Sequence, residues 1–182
     1  MATLRIITPS NSILRKKARK VTSFSPQLQT LIDDMIDTMY DAPGSGLAAP
    51  QVSHSLRLFI VHLDEDPLAD DYPHVSPAPG LGRLHVMINP EVTRVSEEVV
   101  VGTEGCLSIS GYAGDVERHW EITIKYLDRQ GKKRKLKTFG WLARVLQHEC
   151  DHLDGVLFID RASRIWQVEP ENAELSSRKL QK

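Results

Sequence analysis

Apolar residues recur at helical spacing in two parts of the chain. After Ser25 and Pro26, the positions Leu28, Leu31, Ile32, Met35, Ile36, Met39 and Tyr40 follow the i, i+3, i+4, i+7 rule that lines one stripe of an amphipathic helix. Serine accepts a backbone hydrogen bond as N-cap and proline suits the first helical position, so the helix is predicted to begin here; Asp41, Ala42, Pro43 and Gly44 end it. Met35 and Met39 fall on its stripe and are predicted core residues. A second helix is predicted from Thr138 or Phe139 to Leu153, with Leu142, Val145, Leu146 and Leu153 apolar and Gly155 as its C-terminal cap. Alternation and β-branched content predict strands at Arg57 to Leu63, Leu84 to Asn89, Glu97 to Val101 and Trp120 to Leu127, followed by a hairpin turn at Asp128 to Gly131. Asp64 to Gly82, rich in Asp, Pro, Gly and His, reads as a surface loop. Short strands without regular βαβ alternation around two separated helices predict an α+β fold, with mixed or antiparallel sheets around the second helix.

The length of 182 residues corresponds to about one domain, so residues 1–182 are expected to form a single unit with 165–182 as a tail. Pro170 and mixed charge leave that tail between a partly ordered helix and disorder. No apolar run approaches the roughly 18 residues of a membrane span, so no membrane partner is expected. Lys and Arg total 23 against 24 Asp and Glu, which argues against a chain dominated by affinity for DNA. Two cysteines, Cys106 and Cys150, are too few for a secreted disulfide framework and fit a reducing compartment. The cationic start, with Arg5, Arg15, Lys16, Lys17, Arg19 and Lys20, superficially suits an organelle transit peptide, but no apolar segment of a signal sequence follows. A cytoplasmic location is favoured over an organellar one.

The chemistry concentrates in HECDH, residues His148 to His152, inside the second predicted helix. It matches HExxH, in which two histidines one turn apart present both imidazoles to a single ion and the glutamate flanks them. Cys150 is turned about 200° from His148 and is not expected to share that ion. Composition alone predicts roughly 0.016 such matches in this chain. A catalytic site needs a third protein ligand and room for water. The extended pattern HExxHxxGxxH is met through Gly155 and fails at Phe158. Glu169, Glu171 and Glu174 are arithmetically available downstream, as in a zinc peptidase, and Cys106 in the segment Thr103 to Ser108 offers a thiolate.

Three separated segments, GSGLAAPQ (Gly44 to Gln51), EGCLS (Glu104 to Ser108) and HECDH, together resemble the peptide deformylase family. The similarity runs from about Ile6 to Asp160. The resemblance implies that Cys106, His148 and His152 bind the metal, that Glu149 is the general acid and base, and that Gln51 and the backbone N–H of Leu107 stabilise the substrate carbonyl. It places Gly46 against the substrate main chain and Glu104 as a support behind the ligands. It also implies removal of the formyl group from N-formylmethionyl nascent polypeptides, releasing formate. One divalent ion per chain is expected, with Fe2+ preferred and Zn2+, Ni2+ or Co2+ able to occupy the site.

Physical chemistry agrees with those roles. Attack on a formamide at neutral pH needs hydroxide, which a cation supplies by acidifying water, and the amine leaves poorly without a proton donor. The sequence departs from the family pattern at Ser45, Ser110 and Ala113, which bears on the peptide side of the site rather than the ligands. The run Lys132 to Lys137 reads as a lysine-protected edge strand, with transient ribosome docking as the alternative. His54, His62, His74, His85 and His119 lack ligand spacing and are expected on the surface or in loops. A non-catalytic module with a structural metal is disfavoured, because a closed site needs four ligands and has no use for Glu149.

Overall fold

The computed structural model describes residues 3–42, 44–66 and 77–168. His74 and the glutamates at 169, 171 and 174 lie outside the described residues, as does most of the predicted tail. The first helix forms as its sequence predicts: Ser25 accepts from the Leu28 N–H, Pro26 opens α1 (Pro26–Asp41), and the helix ends before Pro43. Met35 and Met39 are wholly buried on its stripe.

That stripe packs on one face of a five-stranded sheet. Its strands are β1 (Gly46–Ala48), β2 (Leu58–Val61), β3 (His85–Val95), β6 (Glu121–Leu127) and β7 (Lys133–Phe139), adjacent in that order and all antiparallel. The second sheet holds β4 (Val99–Gly105), β5 (Tyr112–His119) and β8 (Arg164–Gln167), also in that order. Successive strand residues face opposite ways, so the apolar run of β2 serves two cores at once. Leu58 and Ile60 meet Ile32, Met35 and Met39 of α1. Phe59 and Val61 belong with Met87, Ile122 and Ile124 to the core under α2 (Gly140–Leu153), which contributes Leu142, Ala143, Leu146 and Leu153. A short α3 (Phe158–Arg161) leads into β8. This is the predicted α+β architecture, with the HECDH helix between the two sheets' strands.

Several local expectations change. Strand β3 runs beyond Asn89 through Pro90, because Asn89 adopts φ 50° and its side chain bonds both the N–H and the C=O of Val21, absorbing an irregularity in the pairing with β6. Strand β5 escapes the alternation rule because one inward position is charged: Arg118 is buried alongside Val116. Residues 165–167 are strand rather than helix, with Ile165 opposite Gly114 and Trp166 opposite Ala113. A methyl on Gly114 would lie 2.8 Å from the Arg164 carbonyl, so that close pairing needs glycine. His85 is buried rather than exposed; its Nε2 meets the Gly80 carbonyl at 2.8 Å, and burial lowers its pKa. The lysine run forms β7 at the sheet edge, where Lys137 pairs with Glu121 and Arg134 with Asp128. No helix among the described residues is long and apolar enough to cross a membrane.

Candidate active site

Two chain segments supply the candidate ligands. Cys106 follows the end of β4, and His148 and His152 occupy successive turns of α2. Their ligand atoms all lie within 4.8 Å of one another. The Cys106 Sγ is 3.3 Å from His152 Nε2, and the two imidazoles meet edge to face with centroids 4.9 Å apart. His148 Nδ1 is held at 2.9 Å by Glu104 Oε2, which leaves Nε2 to face the cluster. A thiolate and two imidazoles on this footprint fit a tetrahedral divalent ion with a fourth position for water. Phe158, which stands where a third histidine would complete the longer motif, is buried and stacks on His148 with centroids 6.4 Å apart. Cys150 points into the apolar core, and burial pushes its thiol up to about 12.

The charge states follow from burial and neighbours. Burial opposes the His148 imidazolium, but the Cys106 sulfur and Glu104 carboxylate reverse that and hold its pKa well above the usual value. Burial, His148 and Arg118 push His152 well below it, toward the neutral ring that binds metal. Burial alone would raise Glu104; hydrogen bonds from Arg118 and His148 hold it below the ordinary carboxylate range. Glu149 is 4% exposed, its Oε2 finds no hydrogen-bond partner among the described residues, and burial pushes its carboxyl up to about 7.

The GSGLAAPQ segment folds against these groups. Gly46 opens β1, and a methyl there would overlap the Glu149 carboxylate, with Cδ only 2.9 Å away. The glycine leaves room for the Glu149 side chain as placed here. A short 3-10 turn, Ala49–Val52, then presents Gln51. Its Oε1 accepts from the Ala48 N–H at 2.8 Å, which aims Nε2 toward Cys106 Sγ at 3.5 Å and Ser108 Oγ at 3.3 Å. Leu107 packs under Gly44, where a methyl would lie 2.7 Å from its Cδ1.

The residues singled out from the sequence thus gather around the Cys106, His148 and His152 cluster. The spacing argument missed Arg118, Arg144 and Asp151, buried at 6%, 5% and 8% exposure behind the ligands. Arg144 donates to Glu104 Oε1 at 2.9 Å and to the carbonyls of Val116 and Val100. Its one legible signal is position, since it sits one helical turn before His148 on the same face.

A family model described as polypeptide deformylase matches residues 3–167. The chain belongs to that family. A peptide deformylase from Symbiobacterium thermophilum is 44% identical over 174 residues, 96% of this chain and 73% of the relative. One from Dehalococcoides mccartyi is 46% identical over 88% of this chain and 86% of its own. The crystal structure of peptide deformylase from Thermotoga maritima superposes with a TM-score of 0.79 at 37% identity, covering 90% of this chain and all of that one. The deformylase fold therefore brings EGCLS, HECDH and GSGLAAPQ together from three distant stretches of sequence.

Proposed function

We propose the following division of labour for the removal of N-terminal formyl groups by this deformylase. Cys106, His148 and His152 would hold one divalent ion, which when bound lowers the pKa of water toward neutrality and makes hydroxide available. The Gln51 amide and the Leu107 N–H receive the formyl oxygen and stabilise the charge it gains as the carbon becomes tetrahedral; one such donor is typically worth about 3 kcal/mol. Glu149 accepts the proton of the attacking water and returns it to the departing amine, giving formate and a free amino terminus. A carboxyl pushed up to about 7 is matched to that exchange at neutral pH. Gly46, in an edge strand of the sheet, meets the substrate main chain, and Glu104 orients His148.

The observation that carries the reading is the convergence of one sulfur and two imidazoles within 4.8 Å. A thiolate with two imidazoles suits Fe2+ and Zn2+ alike, with Ni2+ and Co2+ as substitutes, and family resemblance favours Fe2+. The substrates are N-formylmethionyl nascent polypeptides in the cytoplasm. The test is formate release from a formyl-Met peptide by metal-replete protein. Glu149→Gln should lose about 100- to 10,000-fold in kcat with full metal content; unchanged release would remove Glu149 from the mechanism.

A further inference from the structure

We propose that Arg118 and Asp151 are positioning residues that set the reach between Cys106 and the two histidines of α2. The inference rests on the reading of these three residues as metal ligands. The ligands ride on two segments that join only through tertiary contacts. Glu104 stands two residues before Cys106, while Asp151 stands between His148 and His152. Arg118, on β5, binds both. Its Nε and Nη2 donate to the two Glu104 oxygens at 2.9 Å each, and its Nη1 donates to Asp151 Oδ2 at 2.5 Å.

One buried guanidinium thus ties together the two ligand-bearing segments at points within three residues of every ligand. The neighbours reinforce the tie. Arg161 donates from the far side to both Asp151 oxygens, at 2.6 and 2.7 Å, and Arg144 takes the remaining side of Glu104 at 2.9 Å. Apolar packing sets no such distance, because hydrophobic attraction is non-directional. A planar fork of N–H donors admits one arrangement, and the point charge of a lysine cannot reproduce it. Asp151 lies next to His152 in the chain, so its orientation constrains the helical turn that carries both imidazoles.

The test uses the full chain loaded with Co2+, whose visible bands report ligand geometry directly. The variants are Arg118→Lys, which keeps the charge, and the charge-balanced double variant Arg118→Met with Asp151→Asn, which leaves the Glu104–Arg144 pair in place. Both should shift the Co2+ bands, release metal to a chelator about 10- to 100-fold faster, and lower kcat with KM unchanged. Wild-type bands and release in the folded double variant, or full recovery by lysine, would overturn the proposal and leave Arg118 a purely structural residue. Cys106→Ala serves as the control for the underlying reading. If it holds Co2+ with unaltered bands, the ligand assignment fails, whatever Arg118 does.

Discussion

Helices α1 and α2 have similar lengths, 16 and 14 residues, and both lay an apolar stripe on the same five-stranded sheet from opposite sides. Their buried residues differ in kind. Except for Thr38, whose hydroxyl bonds the Asp34 carbonyl and accepts from Leu4, α1 hides only leucine, isoleucine and methionine. Helix α2 hides Arg144, His148, Glu149, Asp151 and His152 as well. Burying an aliphatic side chain contributes about 1.5–3 kcal/mol whatever its neighbours. A buried charge costs several kcal/mol unless a specific partner meets it. Helix α1 is thus stabilised by area, while α2 depends on particular groups from β4, β5 and α3.

The largest expected effect contrasts the two directly. Arg144→Met strips one donor from Glu104 and removes the donor that the Val100 and Val116 carbonyls share, a loss of about 3–5 kcal/mol. Met39→Ala in α1 should cost about 3 kcal/mol through the cavity it leaves. Denaturant unfolding measures both. Turnover per folded molecule separates them, falling for Arg144→Met and holding for Met39→Ala; equal loss of turnover would erase the contrast.

Acidity sharpens the comparison next. In chelator-treated protein the Glu149 carboxyl is raised from 4.5 to about 7 in the folded state, first by burial. Its stabilising contribution is complete below pH 4.5 and lost as pH rises through 7, a change of about 3 kcal/mol. Glu104 acts in the opposite sense: its depressed pKa stabilises the fold above about 4.5, and that share is lost as pH falls below it. Glu149→Gln should flatten the loss between about pH 4.5 and 7. A slope that persists in the variant would assign it to another group.

The smallest expected effect lies at the start of α1. Ser25→Ala removes the bond to the Leu28 N–H and should cost about 1 kcal/mol, with deformylation and metal retention untouched. Helix α2 has no equivalent local device. Its N-cap is Phe139, and the Asp66 carboxylate, 75 residues earlier, accepts from the Trp141 N–H at 3.3 Å instead.

This asymmetry explains which features were legible. The bounds of α1, the core methionines and the cap at Gly155 follow from local rules, and Gly155 has the positive φ of 76° that such a cap needs. Family motifs pointed to the eight candidate site residues because each falls within one of three short motifs. Strands β5 and β8 were missed since their pairing rests on Gly114, which shows no periodicity, and on a buried arginine that looks like an ordinary surface charge. Gly46 was read as a contact for substrate, yet its closest demand is room for Glu149.

By itself, the sequence determined the two helices, the α+β class, the HECDH pair and the type of donor that could join it, because these depend on periodicity and side-chain chemistry within a few residues. The tertiary structure brings the Cys106 sulfur and the Glu104 carboxylate to the two imidazoles as the family resemblance implies, and it alone decided that arginines from two other elements neutralise the buried carboxylates. The physical reason is that a buried charge is stable only beside its partner, and a partner 14 to 44 residues away is chosen by how the sheets bring chain segments together.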